Sequence, residues 1–159
     1  MARRPCIGVI GPATAGAETL AAAEEVGVEI ARREAILVCG GLGGVMEAAA
    51  RGAKRGGGLT IGILPGFNAE EANPFIDVPV VTGLGEARNV LVVRSSSAVI
   101  AIAGSYGTLS EIALALKCGI SIVGMGTWKI RSPEGDEPPI IHTNSPQQAV
   151  ELALKSIRK

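Results

Sequence analysis

Seven short aliphatic runs, separated by segments of helical pattern, constrain this chain more than any other feature. The runs are Cys6–Ile10, Ile36–Cys39, Leu59–Leu64, Val78–Thr82, Ala98–Ala103, Ser121–Gly124 and Pro139–His142. They are near-continuously apolar rather than alternating, the pattern of parallel strands covered by helices on both faces. The helical segments are Glu18–Arg33, Gly44–Arg55, Glu86–Ser96, Thr108–Lys117 and Pro146–Ile157. Ser145 suits an N-cap, with Pro146 at the first helical position. This succession predicts an α/β, Rossmann-like, doubly wound and mostly parallel sheet of about seven strands, with helices on both faces. No repeat or linker interrupts it, so residues 1–159 are expected to form a single domain. Gly66–Pro74 and Arg131–Pro138 read as polar loops.

Composition narrows the ligand. The 15 Lys+Arg and 15 Asp+Glu cancel, and aromatics are only 3%. Neither a nucleic-acid footprint nor a stacking platform for single-stranded bases is expected. The odd cysteines, Cys6, Cys39 and Cys118, lie in apolar segments and read as buried thiols. With His142 the only histidine, no zinc spacing exists and no metal site is expected. The basic MARRP start lacks a signal-peptide apolar run. No stretch reaches the roughly 18 apolar residues of a membrane-crossing helix. The expected location is the cytoplasm, without membrane partners.

In an open parallel sheet, ligands bind beyond the carboxyl ends of the strands. Three Gly-rich turns fall there. They are Gly11–Gly16, Gly40-Gly41-Leu42-Gly43-Gly44 and Gly104-Ser105-Tyr106-Gly107-Thr108. Each leads into a helix, whose unpaired N–H groups and positive dipole end suit a phosphate. A tight strand-to-helix turn also needs glycine for structural reasons alone. Three converging turns favour a phosphate-bearing ligand. The spacing matches neither the dinucleotide fingerprint nor a Walker loop.

The most specific stretch is EARNVLVVRSSSAVIAIAGSYGTLSE, Glu86 to Glu111. It resembles the Lonely Guy family of cytokinin-activating phosphoribohydrolases. By that resemblance Arg88 and Glu111 fall on the family's catalytic arginine and glutamate, and Gly104, Gly107 and Thr108 on its phosphate-binding turn. The segment CGGLGGVME, Cys39 to Glu47, is similar to a second motif of that family. Ala103, Ser105, Asn89 and Ser110 replace the family's proline, second turn glycine, lysine and penultimate glutamate. The set GGLGGVMEAAARGA, ILPG, TGLGEARN and GSYGTLSEI is closer to a sister group resembling the molybdenum-cofactor carrier proteins. Both lie in a Rossmann-like superfamily that includes the DNA-processing protein A core.

Two readings of the site follow. In the first, the protein binds or carries a phosphorylated heterocycle, a nucleoside 5′-monophosphate or a molybdopterin-type cofactor, with no cofactor of its own required. In the second, it is a nucleoside 5′-monophosphate phosphoribohydrolase. There Glu111 stabilises a cationic ribose or activates water, and Arg88 holds the 5′-phosphate or orients Glu111. An Arg88–Glu111 ion pair joining two helices is the purely structural alternative. A third function, single-stranded DNA binding, conflicts with charge and composition. Ligand contacts are expected from Gly11, Gly40, Gly41, Gly43, Gly44, Glu47, Asn89, Gly104, Ser105, Tyr106, Gly107 and Thr108. Tyr106 also reads as a core or subunit contact, Trp128 as a surface or interface residue, and His142 as structural. Thr82 and Leu64-Pro65-Gly66 border the pocket. Val90–Val93 is apolar all round its helix, and Leu114 lies opposite Leu109, Ile112 and Leu116. Helices apolar on several faces bury more than one of them. A homodimer is therefore expected, with Leu91 and Val92 in the interface and Arg94 reaching the partner's pocket, and the resemblance to the carrier proteins implies a homodimer or a homotetramer.

Overall fold

All seven expected strands enter one sheet in the computed structural model, which describes residues 3–157. Residues 1, 2, 158 and 159 of the expected domain lie outside that range. The strands are β1 Cys6–Ile10, β2 Ile36–Cys39, β3 Thr60–Leu64, β4 Val78–Val81, β5 Ala98–Ile102, β6 Ser121–Met125 and β7 Ile140–His142. Their order is β4-β3-β2-β1-β5-β6-β7, and all six pairings are parallel. The chain winds outward from β1 in one direction, then returns to place β5 against its other side, with Ile7 opposite Ala98. The carboxyl ends of β1 and β5 thus flank the switch point where open α/β sheets form a crevice.

The helices are α1 Ala17–Arg32, α2 Val45–Arg55, α3 Asn89–Arg94, α4 Tyr106–Cys118 and α5 Pro146–Ile157. Helices α1, α2 and α5 share one apolar cluster, and α3 and α4 contribute to the other. Alternate strand residues feed the two. Leu37, Cys39, Ile100 and Ile102 enter the first, and Val38, Val99 and Ala101 the second. This explains why the central strands carry no polar alternation. Helices α1 and α2 touch backbone to backbone. A Cβ on Gly27 would lie 2.0 Å from the Ala49 carbonyl oxygen, and one on Gly52 1.8 Å from that of Glu24. Among the described residues no helix is long and apolar enough to cross a membrane.

Several expectations are corrected. The run at Val78 is not buried: β4 is an edge strand, and Val78, Val80 and Val81 are exposed. Pro79, which has no N–H for a ladder, was the signal for an edge. The helix expected over Glu86–Ser96 is divided into a 3₁₀ turn, Gly85–Arg88, followed by α3. The Arg88 side chain is tied to carbonyls on β3 and beyond β2, which holds that first turn tight. Helix α4 starts two residues earlier than expected because Ser105 caps it, its side chain accepting from Thr108 N–H. Ser145 caps α5 as anticipated, accepting from the Gln148 amide at 3.3 Å. Val92 is fully buried within its own chain, so it belongs to the core and not to an interface.

Candidate functional site

The three Gly-rich turns lie at the carboxyl ends of β1, β2 and β5, and they differ in how much of their backbone is free. In the turn after β5, the Ser105 amide donates to Thr108 Oγ1 at 3.3 Å and the Thr108 amide to Ser105 Oγ at 3.5 Å. These bonds form a capping box. The Gly104, Tyr106 and Gly107 amides have no protein acceptor among the described residues. Gly104, Ser105, Tyr106 and Gly107 are exposed, and a Cβ on Gly107 would meet only Ser105 Oγ at 3.7 Å. Thr108 is buried, and its hydroxyl serves the cap.

The turn after β2 is a second source of free donors. Gly41 and Gly44 have φ of +79° and +63°, which glycine adopts without steric cost. The Leu42, Gly43 and Gly44 amides lack protein acceptors among the described residues. Consecutive free N–H groups of this kind form an anion-binding concavity. Asn73 holds the turn from behind: its side-chain amide donates to the Gly41 carbonyl at 3.3 Å and the Leu42 carbonyl at 2.9 Å. Its sequence neighbourhood reads only as loop, so nothing flagged it in advance. Glu47 is half-buried at the start of α2, with Oε2 3.9 Å from the Cβ direction of Gly43.

The other turn glycines are explained by packing. A Cβ on Gly11 would come within 2.7 Å of the Ile102 carbonyl oxygen, and one on Gly40 within 2.7 Å of the Arg88 guanidinium. Their missing side chains make room for the protein itself. The pocket wall at Leu64-Pro65-Gly66 is fastened to residues 82–85. The Thr82 hydroxyl donates to the Leu64 carbonyl at 2.6 Å, and the Gly83 and Gly85 amides to those of Gly66 and Pro65.

Arg88 and Glu111 are both buried, yet they form no salt bridge among the described residues. The structural alternative of an inter-helix ion pair therefore fails. Arg88 instead donates through Nε to the Ile63 carbonyl at 2.8 Å, through Nη2 to Gly40 at 3.3 Å, and through Nη1 to Asn89 Oδ1. It cross-links β3, the second Gly turn and α3. The Asn89 amide nitrogen reaches Ser110 Oγ at 3.4 Å, so the Asn89 side chain bridges α3 and α4. Glu111 has no hydrogen-bond partner among the described residues. Burial pushes its carboxyl up to about 7, against the pull of the nearby Arg88 charge. Burial also raises the Cys39 thiol to about 11, which leaves it neutral and inert. The result is a fixed cation and a carboxyl poised near neutrality behind two rows of free amides. Among the described residues no group of three or more His, Cys, Asp or Glu is placed to hold a metal ion.

Tyr106 and Trp128 form a pair that their sequence separation hid. Their rings stack with centroids 6.1 Å apart, and Tyr106 is 84% exposed, so it makes no core contact. Trp128 Nε1 donates to the Ser105 carbonyl at 3.1 Å, and its ring fills the space beside Gly104. Trp128 thus braces the turn after β5.

Comparison with known proteins places the chain. Residues 4–150 match the model of the SLOG cluster4 family. An uncharacterized protein of Archaeoglobus fulgidus is 41% identical over 155 residues, 94% of this chain and 95% of that protein. The molybdenum cofactor binding protein of the phototrophic bacterium Rippkaea orientalis superposes with a TM-score of 0.88 at 38% identity, covering 99% of each chain. The molybdenum cofactor carrier protein of Chlamydomonas reinhardtii does so with a TM-score of 0.85 at 36% identity, over 99% of this chain and 100% of the other.

Proposed function

The chain belongs to the SLOG cluster4 family, and we propose that it binds and carries a phosphorylated heterocycle, of molybdopterin or nucleoside-monophosphate type, at the carboxyl edge of its sheet. The observation that carries this is the row of unpaired amides at Gly104, Tyr106 and Gly107, opening at the start of α4 beside the switch point. Backbone donors at a helix start hold phosphate without a dedicated cation. The likeness to two molybdenum-cofactor proteins along nearly the full chain supports a heterocyclic cargo. Arg88 positions the second Gly turn rather than reaching out as a phosphate clamp. Gly43, Gly44 and Glu47 border the cargo, and Ser105 and Thr108 shape the turn. The test is native mass spectrometry of protein purified without added ligand, with phosphate-ester binding measured on wild type and Gly107→Val. A co-purified phosphorylated heterocycle and loss of binding in a folded Gly107→Val protein are expected. Equal affinity in the variant would end this reading.

A second reading, nucleoside 5′-monophosphate hydrolysis, draws on Glu111. A carboxyl near 7 suits a general base at neutral pH. In that case the protein releases free base from a monophosphate, and Glu111→Gln abolishes the release. Binding without release leaves the carrier reading alone.

We also propose that two copies meet through α3 and α4. A groove of about 610 Å³ between them is lined by the apolar Val90, Ala113 and Leu114 and by the polar Glu86, Ser110 and Lys117. Leu91 beside it is 37% exposed, and Arg94 is exposed at the end of α3. Monomers rarely leave such apolar surface open.

A further inference from the structure

Glu47 is a carboxylate at the ligand edge of the sheet whose placement pairing does not explain. It is half-buried in the first turn of α2. An acid there suits the helix dipole, but no side-chain bond closes the start of α2, whose N-cap is Gly44. Nor does Glu47 meet a cation among the described residues. Arg51, one helical turn on, is held by Glu24 at 2.9 Å instead. Glu47 reaches the open side of Gly43. A Cβ on Gly43 would meet Glu47 Oε2 at 3.9 Å and the Ala13 carbonyl oxygen at 3.5 Å, with no other heavy atom of the described residues within 4 Å beyond its chain neighbours. The Ala13 carbonyl accepts from no backbone amide among the described residues.

The space beside Gly43 is therefore bounded by acceptors, while the turn that carries it offers the free Leu42, Gly43 and Gly44 amides as donors. Acceptors next to donors match one kind of ring edge. A 2-amino-4-oxopyrimidine ring, as in guanine or a pterin, presents an oxo acceptor, then a ring N–H, then an amino N–H. A carboxylate only accepts, so it takes both N–H groups in charge-assisted bonds, and a backbone amide takes the oxo group. Adenine presents the opposite pattern and would set a nitrogen lone pair against the carboxylate. The span fits as well. β2 and β5 both pair with β1, so at about 4.8 Å per strand their carboxyl ends lie about 10 Å apart. That is the reach from the phosphate of a purine monophosphate to the far edge of its base.

We propose that Glu47 selects the ring of the cargo, reading the amino–oxo edge of a 2-amino-4-oxopyrimidine in the space that Gly43 leaves open. The inference rests on the phosphate reading of the Gly104–Thr108 turn, and it narrows the phosphorylated heterocycle to the guanine and pterin class. Adenine-type monophosphates are rejected because they desolvate the carboxylate and leave it unpaired. Glycine at position 43 serves space rather than conformation. Its φ is not positive, and a methyl there meets its neighbours at ordinary contact distances while filling the place of the ring edge.

The probes are ribose 5-phosphate, AMP, GMP and a pterin with a phosphorylated side chain, titrated by calorimetry into ligand-free protein. GMP is expected to bind at least about tenfold tighter than AMP. Glu47→Gln should bring that ratio within about threefold, since a carboxamide offers a single acceptor oxygen and sets a donor against the ring N–H. A Glu47 that served only the helix would weaken both nucleotides alike and keep the ratio. Gly43→Ala, in a folded protein, should lose the ratio too. If ribose 5-phosphate binds while GMP gains nothing over AMP, or if Glu47→Gln keeps the wild-type ratio, the edge proposal is overturned and the turn reading survives. If none of the four compounds binds, both are overturned. Where the preference and its loss in Glu47→Gln are seen, both support the proposal, and the tighter of GMP and the pterin tells which source supplies the ring.

Discussion

Replacing Glu111 with glutamine should stabilise the protein at pH 8 and change little at pH 5. The residue is buried, its carboxyl reaches solvent only at the edge and has no protein hydrogen-bond partner among the described residues, and burial lifts it from an ordinary 4.5 to about 7. The folded protein therefore holds a proton that the unfolded chain releases. The stability this contributes is fully present below about 4.5, declines as pH rises between 4.5 and 7, and is gone above 7. That gap corresponds to about 3 kcal/mol. The glutamine amide has nearly the shape of the neutral carboxyl and cannot ionise, so it escapes the decline. The assay is urea unfolding of both proteins from pH 5 to 8, after stripping any bound anion, which would add its own linkage. Glu29 and Asp77 do not interfere. Their burial is outweighed by hydrogen bonds from Arg33 and Arg32 and from Lys54 and Thr60, so both titrate below this window. The difference between the proteins should grow toward pH 8. Parallel stability curves would show that Glu111 is solvated or paired and would refute the argument.

Glu34 follows α1 with a φ of +58°, so Glu34→Gly should raise stability by up to about 1 kcal/mol, read as a higher Tm. Leu91→Glu should yield a folded monomer near 16 kDa by light scattering, while Val92→Glu, at a fully buried site, should fail to fold. If the Leu91→Glu protein keeps the wild-type mass, the α3–α4 interface is wrong. Ala103 has a φ of +52° and donates its amide to the Met125 carbonyl at 2.9 Å. Proline can do neither, so Ala103→Pro should cost at least about 2 kcal/mol and weaken phosphate binding, whereas Ala103→Gly should preserve both.

The central strands were legible because burial on both faces leaves runs of aliphatic residues bounded by turn residues, at a spacing that alternates with helical segments. Ile36–Cys39 and Cys6–Ile10 match residue for residue. The β4 segment misled because valines fill an edge strand as readily as a central one, and only Pro79 spoke against burial. The Gly turns were legible as turns, but which glycines leave space and which fill it was not. Gly40 and Gly43 look alike in sequence; one is packed against Arg88 and the other is open. Arg88 stood out by motif, whereas its binding to the Ile63 and Gly40 carbonyls depends on three elements meeting in space. The Tyr106–Trp128 stack and the Asn73 brace arise from loop meetings over 22 and 32 residues, which no local pattern encodes.

The backbone contact between α1 and α2 has a consequence for the far end of both helices. Each helix starts at one of the Gly-rich turns, and the Val45 amide donates to the Pro12 carbonyl at 3.0 Å where the two turns meet. Gly27 lies about 15 Å along α1 from its start, and Gly52 about 10 Å along α2 from its own, at 1.5 Å per residue. At that crossing the helices are spaced by the thickness of a peptide, with no side chain to adjust. A single methyl at either glycine acts on a rigid lever: it must wedge the helices apart and tilt the turns at their tips. The spacing of the Gly11–Gly16 and Gly40–Gly44 turns is therefore set remotely, by residues that lie in neither turn.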